Sequence, residues 1–480
     1  MQERYIATAD LGSSKIAISV AKVIGDDIQI IYYKETPSDG IRYSCVFNPK
    51  RASQALQDAI VQAEEELKIK ILQIVIGLPR YNVRQEIASA KIARSNPDSC
   101  ITKEEVDTLK SMALDNYPLG DEAKEEIYGA VAQSFSVDDL IQAGENDVIG
   151  TTSEALEGNF KIFVGAKKSV SNIDVMLNGL SVAPARKLFL PHAVANAVLT
   201  SEEKENGIAL IEMGAGVTSL TIYQGSIMRF YGAIPFGGKN ITTDIKYECG
   251  FNESLAENIK FAYGACMPEK LLSMSEKVIR INDDETGSYE QLPVKYLSEI
   301  ITCRAREIIN AILYLIQASG FAERLRNGVV LTGGCANLAN LASLIKTMSG
   351  YNVRIGYPRR YFSSAGCPGI GETGAVASVG MILSASKDPY LNCIEEAVPE
   401  AEEEQKVVEV LSYEGSILDP YALDEEPVKA PEPTKVKIKK EKEPRKSIFG
   451  NLTWTKKMGS VLEKALDGDS KIGSLFDSME

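Results

Sequence analysis

The chain has 480 residues, of which 44% are apolar and 25% charged, and its formal net charge is −14. That length accommodates two or more domains with cores of their own, and the acidic balance argues against a general nucleic-acid binder. A single histidine, His192, excludes a histidine-built zinc site and an imidazole-dependent triad, and eight scattered cysteines without a CxxC pattern read as reduced, buried small hydrophobes.

Residues 5–33 predict three strands in a meander, turning at Gly12-Ser13 and again at Gly25-Asp26-Asp27. The first turn is preceded by Asp10 and followed by Ser14 and Lys15. Residues 49–68 carry Ala52, Leu56, Ile60, Ala63 and Leu67 at helical spacing, and residues 71–76 form an apolar strand. From about residue 82 to 160 the pattern changes, with a capping box at Thr102 and Glu105 opening a helix flanked by short strands. Residues 162–166 and 187–190 predict strands, each followed by a helix, and residues 202–206 predict a polar loop.

The opening device is then repeated. Residues 207–211 are an apolar strand that meets Glu212, then a tight turn of Gly214, Ala215, Gly216 and Val217, then a returning strand. Gly- and Ser-rich turns let backbone N–H groups converge on phosphate oxygens. A carboxylate at the end of the preceding strand can hold Mg²⁺ through water. Further on come a Gly237-Gly238 turn, a helix with Glu257 and Lys260, and a long helix from Val294 to about Ser319. A strand at residues 329–332 then runs into Gly333-Gly334, and Cys335, Ala336 and Asn337 are expected to open a helix.

Residues 10–15, 212–218 and 331–336 resemble the phosphate-1, phosphate-2 and adenosine motifs of the actin/sugar-kinase/Hsp70 ATPase superfamily. Within it the chain is identified as a member of the FtsA family of bacterial cell-division proteins, over roughly residues 5–385. Residues 235–245, 256–264, 353–356 and 373–377 also fit.

The resemblance implies an α/β, actin-like two-domain fold with duplicated ribonuclease H-like cores. Residues 1–81 and 161–200 would form the first domain, with an FtsA-type (SHS2-like) insertion at 82–160. Residues 201–225 and 315–387 would form the second core, with a subdomain at 226–314 that binds FtsZ, through the C-terminal peptide of FtsZ. It also implies that Gly12, Ser13, Ser14 and Lys15 embrace the ATP phosphates from one side, and Gly214, Ala215, Gly216 and Val217 from the other. Asp10 and Glu212 would organise Mg²⁺ and water. Gly237, Gly238, Gly333, Gly334 and Asn337 would line the nucleotide pocket, with Glu257 and Lys260 bracketing base and ribose. The family pattern has Asp and three glycines where this chain has Glu212-Met213-Gly214-Ala215-Gly216, so ATP binding is expected with weak hydrolysis at most. Self-assembly into actin-like filaments and recruitment of later division proteins follow from the same likeness. The rival within the superfamily is an ATP-dependent kinase of a small molecule, and a closer cousin is a pilus-assembly adaptor.

Residues 388–446, rich in Glu, Pro and Lys, predict a disordered charged linker. Beyond it Ile448, Phe449, Leu452, Met458, Val461 and Leu462 fall at helical spacing, with lysines on other faces and Trp454 at the edge. Such a basic amphipathic helix suits an anionic membrane surface; the alternative is a terminal helix docked on its own domain. No apolar run approaches the ~20 residues of a spanning helix, and Met1 to Arg4 lead directly into a strand. The expectation is a cytosolic protein, peripheral on the inner face of the cytoplasmic membrane at the division site.

Overall fold

The computed structural model describes residues 3–138, 140–282, 289–359, 361–364 and 366–396. The charged linker beyond residue 396 and the amphipathic tail at 447–480 lie outside the described residues.

Strands Arg4–Leu11, Lys15–Ile24 and Asp27–Pro37 form the predicted antiparallel meander. Gly25, at φ 61°, makes the second turn in a conformation that glycine adopts without steric cost. Two strands then add in parallel on the other side of Arg4–Leu11: Gln73–Gly77, and beyond it Ala183–Leu188. Parallel pairing needs a crossover, and the helices Pro49–Leu67 and Lys167–Asn178 precede the two strands.

The second half repeats this order. Ile227–Ile234, Thr218–Gln224 and Ile208–Met213 are antiparallel, and Val329–Thr332 and Val353–Ile355 add in parallel. Even the register repeats, since Asp10 lies opposite Ala17 and Glu212 opposite Ser219, each pair enclosing a turn of the same length. Ile6, Ile16, Ile18, Val20, Ile74 and Ile76 are fully buried, and helices Leu190–Val198 and Val376–Ala385 share their core. Each such side chain contributes roughly 1.5–3 kcal/mol through burial.

The region expected as an insertion is a four-stranded antiparallel sheet carrying the helix Lys103–Asp115 on one face. The capping box is present: Thr102 Oγ1 accepts from Glu105 N at 3.3 Å, and Glu105 Oε2 accepts from Thr102 N at 2.9 Å. Arg94, its side chain 1% exposed, adds a bidentate pair to Glu105 and donates to the carbonyls of Ser99 and Ser153. Thr102→Ala is expected to cost about 1 kcal/mol, read as a lower urea midpoint for this region.

Four boundaries differ from the sequence reading. The strand expected at 162–166 is the end of one long strand, Ala155–Ala166, paired along its length with Arg84–Ala93. Its alternation serves two cores, because neighbouring side chains point to opposite faces of a strand. Phe160, Ile162 and Val164 enter the inserted core, and Phe163 enters the main one. Residues 227–234, expected within the 226–314 subdomain, are instead the third strand of the second core sheet, while the long helix expected from Val294 to about Ser319 is present as Val294–Ala318. Residues 201–206 form a short helix capped by Thr200 rather than a loop, because Thr200 and Glu203 make a second capping box. Finally, order continues past residue 387: Ile394–Glu396 pairs with Ile69–Ile71, and Leu391 and Cys393 are buried. Few apolar residues mark that stretch, but Leu391, Cys393 and Ile394 are buried against the main core, and Ile394–Glu396 makes a two-stranded ribbon with Ile69–Ile71.

Candidate functional site

The two turns are built alike. Gly12 N donates to Lys15 O at 3.0 Å, and Gly214 N donates to Val217 O at 2.9 Å. Among the described residues the amides of Ser13, Ser14, Ala215 and Gly216 make no hydrogen bond. Two small donor nests result, the arrangement that receives anionic oxygens. They face each other: a Cβ on Gly216 would lie 2.8 Å from Ser13 Oγ. Val217 is buried, so it can serve only through its backbone.

The Gly237-Gly238 turn locks the second nest from behind. Gly238 N donates to Gly214 O at 3.0 Å and Lys239 N to Ala215 O at 2.8 Å, at the start of helix Gly238–Cys249. A Cβ on Gly237 would lie 2.4 Å from Gly214 O and 2.7 Å from Ala215 O, so no side chain fits there. Lys260 Nζ, on helix Glu253–Tyr263, donates to Gly238 O at 3.0 Å, to Thr242 Oγ1 at 2.7 Å and to Glu257 Oε2 at 2.7 Å. All three ammonium hydrogens are thereby used, which makes Lys260 a brace for the turn.

The third motif closes on the other two. Gly333 has φ 89°, and a Cβ there would lie 2.6 Å from Met213 O. Gly334–Asn337 is a short 3-10 turn, not the opening of a helix as its sequence suggests; the α-helix begins at Leu341. Asn337 Oδ1 accepts from Thr373 Oγ1 at 3.1 Å. Next to it, a Cβ on Gly374 would lie 2.9 Å from Lys15 Nζ, and Lys15 pairs with Glu35. The structure therefore places the two turns, the Gly237-Gly238 turn and the Gly333-Gly334 segment beside one another.

One residue of the cleft was not anticipated. Arg80, three positions beyond strand Gln73–Gly77, places Nη2 3.4 Å from Asp10 Oδ1 and 3.2 Å from Glu212 Oε1. All three side chains are nearly buried, at 11%, 12% and 8% exposure. The Tyr231 hydroxyl donates to the Arg80 carbonyl, and Tyr231 itself packs edge-on against Phe163 and Phe189. Burial pushes the Glu212 carboxyl up, opposed by Arg80 and reinforced by Asp10. For Arg80 burial works against the charge, but Glu212 and Asp10 outweigh it and raise its pKa. Asp10 and Glu212 do not fit direct service to a divalent cation, because a guanidinium already lies against both. A lone arginine after Gly77-Leu78-Pro79, just beyond an apolar strand, was the only signal available in the sequence.

The duplicated sheet with a turn-bearing strand in each half defines the chain as an actin-like protein. A chain of the PilM-PilN type IV pilus biogenesis complex has a TM-score of 0.56 at 17% identity, covering 80% of this chain and 99% of its own. The family model described as cell division protein FtsA matches residues 209–376. The cell division protein FtsA of Neisseria meningitidis serogroup B is 30% identical over 363 residues, which are 75% of this chain and 85% of that relative. FtsA of Enterococcus hirae is 29% identical, over 73% and 78% of the two chains, and that of Escherichia coli 25%, over 74% and 84%. The chain belongs to the FtsA family of cell division proteins.

Proposed function

We propose that the chain binds ATP in the cleft between its two turns and assembles on the cytoplasmic face of the membrane. There it would tether the FtsZ ring and recruit later division proteins. The observation that carries the reading is the opposition of two donor nests, one from each half, with Ser13 and Gly216 in contact distance. Such a pair can grip a polyphosphate from two sides. Ser13, Ser14, Ala215 and Gly216 would supply backbone N–H groups, and Lys15 a charge. Gly333, Gly334 and Asn337 would let the adenosine lie close to the backbone, with Glu257 and Lys260 holding the Gly238 side of the pocket. Mg²⁺ would arrive on the phosphates, since Arg80 holds the two carboxylates.

In this reading residues 1–200 and 201–387 are the two actin-like halves, residues 82–160 an assembly surface, and the helices between Gly238 and residue 314 the FtsZ-facing part. Exposed Tyr247, Phe261 and Leu272 on that part suit a peptide partner. Hydrolysis is slow, because the Arg80 guanidinium lies against both Glu212 and Asp10 and weakens either carboxylate as a base. Among the described residues no helix is long and apolar enough to cross a membrane, and in this reading the tail makes the contact with lipid. Phe449, Leu452, Trp454, Met458 and Leu462 would form its lipid face.

Trp454 is the only tryptophan, so its emission tests the tether directly. Anionic vesicles added to the ATP-loaded protein are expected to shift the emission to the blue, and neutral vesicles to leave it unchanged. Unchanged emission with both would remove the membrane from the account. The kinase reading would show itself instead as ATP turnover that appears only when a small substrate is added.

A further inference from the structure

Arg80 belongs to none of the three turn motifs, yet it sits at their meeting point. Its Nη2 lies 3.4 Å from Asp10 Oδ1, on the first half, and 3.2 Å from Glu212 Oε1, on the second. Two polar atoms here are buried and make no hydrogen bond among the described residues, Arg80 Nε and Glu212 Oε2, although the Ser219 hydroxyl beside Glu212 favours its charged form. Both atoms belong to side chains that are about nine-tenths buried. Buried polar groups are rarely left so unless a further polar group completes the site. Meanwhile no group of three or more His, Cys, Asp or Glu residues able to hold a metal ion occurs among the described residues.

Two carboxylates held this close repel, and something positive must lie between them. A hydrated divalent cation is one solution, and a guanidinium is another. A guanidinium keeps its charge at every working pH, and here its Nη2 alone lies within reach of both carboxylates. Placing a divalent cation in the same gap would set it against the Arg80 charge inside a buried site, where like charges repel strongly. The backbone at Arg80 is also fixed, since its carbonyl accepts from Tyr231, whose ring is wedged against Phe163 and Phe189. The side chain is therefore anchored in place rather than swinging in from solvent.

We infer that Arg80 is a built-in counter-ion of the nucleotide site. It takes the place between Asp10 and Glu212 that a divalent cation would fill, so that the cleft holds a nucleoside triphosphate with little dependence on Mg²⁺. This deepens the nucleotide reading above and rests on it. It also supplies a clasp between the two halves that is present before any nucleotide arrives.

The test has two arms on the full chain. In the first, Mg²⁺ alone is added without nucleotide and thermal unfolding is followed. The melting temperature of the natural protein is expected to stay within about 1 °C, since a cation that does not bind the folded state does not stabilise it. Arg80→Gln, with the carboxylates bared, is expected to gain several degrees from the same Mg²⁺. A clear Mg²⁺-induced rise in the natural protein overturns the inference whether or not nucleotide binds. In the second arm, ATP affinity is measured by calorimetry in Mg²⁺ and in EDTA. The natural protein is expected to lose less than about tenfold on removing the metal, and Arg80→Gln more than that, with Mg²⁺ restoring it. A larger loss in the natural protein overturns the inference. ATP bound in neither condition overturns the nucleotide reading itself, and the first arm still judges Arg80. Should Arg80→Gln fail to fold, the natural protein alone decides both arms.

Discussion

Replacing Arg80 by Met is expected to lower the free energy of unfolding by about 3–5 kcal/mol, the usual cost of stripping one partner from a buried ion pair. The volume is nearly kept, so the loss is electrostatic: Asp10 and Glu212, 12% and 8% exposed, would face each other without a cation. Without Mg²⁺ the remaining carboxylates relieve the strain by taking up a proton. Urea unfolding followed by circular dichroism measures the loss. The same substitution combined with Asp10→Asn and Glu212→Gln is expected to recover most of it, since neutral amides no longer repel. A loss under about 1 kcal/mol would mean that the carboxylates are already neutral or hydrated and that Arg80 is not their counter-ion.

Gly237→Ala is expected to weaken ATP binding by about 100-fold while leaving the fold intact, on the scale of the effect of ångström misplacements in a site. The added methyl would enter within 2.4 Å of Gly214 O and 2.7 Å of Ala215 O. Both contacts are backbone, so neither can rotate away as a side chain would. Relief requires the Gly214–Gly216 turn to move, and with it the donor nest. Gly371→Ala is the control, at a glycine outside the three motifs, since a Cβ there meets nothing within 4 Å. Calorimetric titration of ATP into each variant decides. Equal affinities for both would place the nucleotide somewhere other than between the turns.

Much of the architecture was legible in the sequence, for a local reason. Residues 5–24 and 207–223 each bring an apolar run, a carboxylate and a small-residue turn within one hairpin, so pattern and chemistry coincide over a few positions. The same is true of the capped helix at Lys103–Asp115, where Thr102 and Glu105 announce the start three residues apart. The family likeness rests on such stretches. What misled was also local: Gly333-Gly334 reads as a turn into a helix, but the chain spends residues 334–337 in a 3-10 turn that lets Asn337 reach Thr373.

By itself the sequence determined the hairpins, the order of strands and helices, and the residue types at the three turns, because each depends on neighbours along the chain. Only the tertiary structure decided which of those residues meet. It brought Ser13 against Gly216 and Gly237 against Gly214, contacts spanning many residues of chain. It also turned an ordinary arginine after a proline into the cation between two carboxylates more than 200 positions apart, and drew residues 394–396 back onto a strand near the start. The physical reason is the same in each case. Hydrogen bonds within a turn follow from nearby residues, whereas the pairing of buried charges and distant strands depends on what the packed sheets place beside them.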